Sequence, residues 1–112
     1  MQLNLTDTVK QLDGETDMME VVVDYSKPQI GDEVATMRKP ITIRSVILTA
    51  LSFNDPTVSG EERVRRTLLA EEAFKTDNME FDEATVELLK TLVEKTQPHP
   101  FIFTHMIRLL QS

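Results

Sequence analysis

The densest apolar run in the chain is 41–53, ITIRSVILTALSF. Ile41, Ile43, Val46, Ile47, Leu48, Ala50, Leu51 and Phe53 cannot share one helical stripe, and a helix apolar round most of its circumference is normally buried. The run predicts a central helix on which the other elements pack. Upstream, Leu3 and Leu5 flank polar Asn4, and Asp13-Gly14 is a turn signal. Residues 18–25, MMEVVVDY, are rich in the β-branched and aromatic residues that suit a strand. Together these predict a β-hairpin over 2–25, with Val21 and Val23 on one face and Val22 on the other. Residues 26–39, SKPQIGDEVATMRK, hold Pro28 and Gly31 and read as a connection with room for a third short strand at 33–37. A connection this long in a compact domain is often functional.

From residue 40 onward the pattern is helical. Pro40 suits a helix's first turn, with Thr42 as an alternative cap, and Asn54-Asp55-Pro56 stops that helix near Ser52. Ser59-Gly60-Glu61-Glu62 fits a capping box and opens a helix to about Lys75, with Val64, Leu68, Leu69 and Ala73 as its apolar stripe. Asp82 caps a helix over 83–95, striped by Val86, Leu89 and Val93. Pro100 opens the last helix, whose Phe101, Phe103, Met106, Ile107, Leu109 and Leu110 predict docking on the core or on another subunit. The expected architecture is a single α+β domain over 1–112: an N-terminal hairpin (1–25), a connection (26–39) and a part of about four helices (40–112).

A length of 112 residues bounds one domain with a modest core. No apolar run approaches the ~20 residues that span a bilayer. MQLNLTDTVKQLDGE has neither the basic start nor the apolar centre of a signal peptide. The chain has no cysteine, so disulfides, thiolate nucleophiles and Cys metal sites are out, and a cytoplasmic location is expected.

The net charge of −7 argues against general nucleic-acid binding. It is unevenly spread. Residues 1–35 carry eight acids against two bases, whereas 36–70 carry six bases against three acids. The basic middle is read as neutralised by acidic neighbours within the fold; the sharper alternative is an exposed patch of Arg44, Arg63, Arg65 and Arg66 for an anionic partner.

Little here points to catalysis. His99 and His105 are six apart, not the i, i+4 spacing of a helical metal pair. Adjacent acids such as Glu61/Glu62 and Glu71/Glu72 diverge on a helix rather than facing each other. Ser45, Ser52 and Ser59 lack a nucleophile elbow, and three glycines leave no phosphate loop. No catalytic residue, cofactor or metal site is expected. The expectation is instead a protein-binding surface: Glu15, Asp17, Glu20 and Asp24 as the electrostatic face, with Met18, Val22 and Tyr25 as apolar anchors. An apolar strand face or an open strand edge invites pairing with a partner or a second copy.

The order of pieces also carries a resemblance. The early Asp13-Gly14 turn is followed by an acidic connection, PITIRSVILTAL, SGEERVRRTLLAEEAF, EFDEATVELLKTLVEK and a short apolar helix after prolines. This layout resembles small proteins of tailed bacteriophages and prophages over most of the chain. The resemblance implies a compact, non-enzymatic protein that binds a host factor or another phage protein. The rival expectations are a self-associating virion, assembly or chaperone protein, using the hairpin edge or last helix, and a nucleic-acid-associated regulator using the Arg group.

Overall fold

Every helix start in this chain has a side chain or a neighbouring segment ready for the amide groups that a helix leaves unpaired. In the computed structural model, which describes residues 1–31 and 33–112, four helices form: α1 (Ile43–Leu51), α2 (Gly60–Lys75), α3 (Glu83–Thr96) and α4 (Pro100–Gln111). Thr42, Ser59 and Asp82 cap the first three, accepting from the N–H of Ser45, Glu62 and Thr85. His99 caps α4 through Nδ1, which accepts from Phe101 N–H at 3.2 Å. Pro40 does not open α1; it ends a strand, and Thr42 is the cap.

α1 is the central helix that its composition predicts. Ile43, Val46, Ile47, Ala50 and Leu51 are buried, and the helix packs on both α2 and α3. α4 lies on α3 through Ile102, Met106 and Leu110, an i, i+4, i+8 stripe. The fold is α+β, with four short strands: β1 (Gln2–Asn4), β2 (Met19–Val23), β3 (Thr36–Pro40) and β4 (Asn78–Glu80). They form two separate antiparallel pairs.

The pairing differs from the expected 2–25 hairpin. β1 pairs with the distant β4, Leu3 opposite Met79, and both side chains enter the core. Burial decides this: Leu3, Leu5, Met79 and Phe81 each gain a dry environment there, and the local partner has no buried face to offer. The chain does reverse at Asp13-Gly14, with Gly14 at φ 74, and residues 9–11 bond across to 16–18, Gln11 N–H to Thr16 O and Met18 N–H to Val9 O at 2.8 Å each, but the pairing is limited to this short stretch. The hairpin proper is β2–β3, and residues expected as connection supply β3, a few positions beyond 33–37.

The N-terminal segment also finishes α1. Ile43 N–H donates to Asp7 O and Arg44 N–H to Leu5 O, at 2.8 and 3.0 Å. At the far end of α2, the Arg44 guanidinium donates to Ala73 O, Thr76 O and Asp77 Oδ1, closing carbonyls that the helix end leaves open.

α2 departs from its predicted stripe. Leu69 and Ala73 face inward, but Val64 and Leu68 are 59% and 58% exposed, and Arg66 sits inside at 8%. The helix is rotated so that 62, 66, 69, 70 and 73 form the inner face. Arg66 buries its aliphatic stem there and meets Glu62 Oε1 at 3.2 Å.

Candidate protein-binding arm

β2 and β3 form a ladder with Met19 opposite Pro40, Glu20 opposite Lys39, Val21 opposite Arg38, Val22 opposite Met37 and Val23 opposite Thr36. Three backbone bonds anchor its root, each 2.8 Å: Met18 N–H to Val9 O, Ile41 N–H to Met18 O and Val9 N–H to Ile41 O. Beyond that root the ladder packs mainly on itself. The radius of gyration is 15.5 Å, against about 13 Å for a compact chain of this length. The hairpin is an arm standing off a helical body.

A turn at 24–27 begins the tip. Asp24 accepts from Ser26 N–H and Ser26 hydroxyl, and these bonds, helped by the nearby Lys27 ammonium, hold its carboxyl below the usual carboxylate range. A second small turn bridges Ile30 and Glu33, with Gly31 at φ 61, a left-handed conformation that favours glycine. Between the two lies a cleft of about 320 Å³ lined by Lys27, Pro28, Ile30, Glu33, Val34 and Ala35.

The arm is wet on both faces yet rich in apolar side chains. Tyr25, Ile30 and Val21 are 89%, 73% and 65% exposed, and Met19, Val34 and Met37 are exposed as well. Among the described residues each strand has one neighbour, so both outer edges present unpaired backbone groups. The whole arm, 19–40, carries four acids and three bases, so it has almost no net charge.

The residues expected to bind a partner are only partly brought together. Glu20 and Val22 share one arm face with Met37 and Lys39, and Tyr25 projects at the tip. Glu15 is exposed on the separate 11–16 turn. Met18 is half-buried against the core at the arm's root. Asp17 is bound by Lys10 and Thr8, and Asp24 is buried in its turn, so neither offers a free charge. Ile30, Val34 and Met37 were not anticipated as contact residues. Their signal was available in the apolar positions of the long 26–39 segment, once that segment is read as half of a hairpin.

The Arg group does not form one exposed patch. Arg44 is held at the C-terminal end of α2 by Asp77 at 2.8 Å. Arg65 and Arg66 meet Glu62 at the other end, and Arg65 also donates to Thr85 Oγ1 at 3.2 Å. These ion pairs are made to α2 and its flank, not to the acidic N-terminal third. Arg63 is exposed. His105 Nδ1 accepts from Lys10 N–H at 3.4 Å, and burial, with Lys10 adding, pushes its pKa down.

The molecule is thus an α+β protein with a projecting two-stranded arm, and no helix among its described residues is long and apolar enough to cross a membrane. No protein-family model, curated protein or solved structure matches the chain.

Proposed function

We propose that the chain is a non-enzymatic binding protein that docks the β2–β3 arm on a surface of another protein and so occupies or blocks it. The observation that carries this reading is the arm itself: an unsupported hairpin with Val21, Tyr25, Ile30, Val34 and Met37 in water. A two-stranded hairpin is marginal alone, and clustered exposed apolar side chains mark interaction surfaces. Tyr25 is the natural anchor, since tyrosine combines large contact area with a polar tip and little rotamer entropy. The likeness in layout to small tailed-phage proteins points the same way, to a binder of a host or phage protein.

The arm's near-neutral charge refines the expectation from composition. Contact is mainly apolar and backbone-mediated, so affinity changes little between low and high salt. The test is capture from a bacterial lysate by the tagged chain at both salt concentrations, beside a Tyr25→Ser/Ile30→Ser/Met37→Ser variant. A stoichiometric partner held by the wild type at both salts and lost by the variant supports the reading. Equal capture by the two proteins sinks it.

The two open strand edges favour one second reading, in which the partner is another copy of the chain. A mass in solution that rises with concentration, and falls back to the monomer value in the arm variant, selects it.

A further inference from the structure

α4 is held to the rest of the fold mainly by its buried Ile102, Met106 and Leu110. Among the described residues one polar bond leaves this helix for another element: Lys10 N–H donates to His105 Nδ1 at 3.4 Å. That bond falls at the base of the 11–16 turn, all of whose residues are exposed, Leu12 at 70%. The turn is built by its own bonds. Gln11 N–H donates to Thr16 O, Asp13 accepts from the N–H of Glu15 and of Thr16, and Lys10 pairs with Asp17 across the stem. These bonds stay within 10–17 and do not reach the helical body.

Two cavities adjoin the contact, of about 330 and 380 Å³, and Lys10, His105 and Leu109 line both. The first lies between the turn and α4, with Leu12, Phe101 and Leu109 as its apolar lining. The turn is therefore a self-contained flap, fastened by one polar bond and with space beneath it.

The nature of that bond makes it sensitive to protons. Imidazole offers a lone pair at Nδ1 only while neutral; once protonated, both ring nitrogens are donors. The ring would then face the Lys10 N–H donor to donor, with a new positive charge near the Lys10 ammonium. The other charged or titratable groups around it are few. The N-terminal segment brings Asp7 and the Lys10–Asp17 pair, α4 itself brings Arg108 and His99, and α1 adds only apolar Ile43 to the lining. Lys10 and Asp17 both belong to the stem, so their ion pair moves with the turn and does not oppose its release.

We infer that His105 is a pH-operated catch: neutral, it holds the 10–17 turn against α4; protonated, it frees the turn and opens the groove lined by Leu12, Phe101 and Leu109. Burial first and Lys10 second hold the imidazole below its ordinary 6.5, so the turn is fastened at neutral pH and freed below 6.5. The carboxyls that shape the turn do not titrate with it. Hydrogen bonds from Thr16 take Asp13 down to about 2, and those from Lys10 and Thr8 hold Asp17 below 3.8.

The experiment is a nuclear magnetic resonance titration of the full ¹⁵N-labelled chain between pH 8 and about 5, across the window in which histidine titrates. The expected result is a Lys10 amide shift that follows the His105 ring with one midpoint below 6.5. The 11–16 amides become mobile over the same range, while Ile47 and Leu89 in the core keep their protection from hydrogen exchange. His105→Gln retains a side-chain acceptor at every pH, so the turn stays fastened at the acid end. His105→Lys carries a donor cation throughout, so the turn is free at pH 8 as well. His99→Asn keeps a capping side chain on α4 and leaves the titration of the turn as it is in the wild type. A Lys10 amide that ignores the His105 ring overturns the inference, as does acid mobility of 11–16 that persists in His105→Gln. Loss of core protection together with the turn overturns it too, since the event is then global unfolding.

Discussion

Single residues in this protein hold ends together. Arg44 joins the start of α1 to the end of α2, and Thr42, Ser59 and Asp82 close helix starts in the way their sequence context predicts. The carboxylates in turns and caps are also the pH-sensitive groups. Ser26 bonds lower Asp24, Thr57 bonds lower Asp55, Thr85 bonds lower Asp82, and Thr16 bonds take Asp13 down from 3.8 to about 2. A depressed carboxylate stabilises the fold above its unfolded value and loses that contribution as pH falls through the folded value. His105 works in the same direction at higher pH. Burial lowers its pKa from 6.5, so the unfolded chain takes up its proton first and stability falls as pH drops below 6.5. Urea midpoints are therefore expected to be flat above pH 7, to dip modestly as pH falls below 6.5, and to fall steeply below 3.8. His105→Gln removes the first dip and keeps the second; a midpoint that rises on acidification contradicts the account.

At the scale of elements, the contrast between α1 and α2 is the informative one. α1 is buried because its apolar residues leave few polar positions to face water. α2 has enough polar residues to be rotated either way, and the inner face is fixed by Arg66, Ala73 and the Arg44 contacts rather than by Val64 and Leu68. Leu68→Lys is accordingly expected to change stability by less than about 0.5 kcal/mol, as exposed substitutions do. Ile47→Ala, in the middle of α1, is expected to cost about 2–5 kcal/mol through lost burial and the cavity left behind. Denaturant unfolding of the two variants checks both; a large loss for Leu68→Lys would place that face of α2 inside.

Taken whole, the molecule is a helical body with an arm, its extents being 46 × 37 × 25 Å. The two parts draw on different sources of stability: the body on one apolar cluster, the arm on its ladder and three root bonds. Replacing 24–35 with a two-residue Asn-Gly turn should leave the urea midpoint nearly unchanged, because no core residue is lost. Small-angle scattering should show a shorter particle, with the radius of gyration moving toward the compact value of about 13 Å. A cooperative loss of stability on this replacement would show that the arm belongs to the core.

Sequence alone carried the α+β class, the four helices with the Ser59 and Asp82 caps, the central place of 41–53 and the turn at Asp13-Gly14. Those features rest on local rules: apolar periodicity, side-chain caps and the stops imposed by proline. Of the candidate site, it marked Glu20, Val22 and Tyr25 but not the arm that carries them. Tertiary structure decided which strands pair, since Leu3 finds Met79 across more than seventy residues and no local pattern encodes that choice. It also decided the rotation of α2, and with it the exposure of Val64 and Leu68, the burial of Arg66 and the splitting of the Arg group. Pairing and rotation depend on which apolar surfaces can be buried together, a property of the packed molecule and not of any one segment.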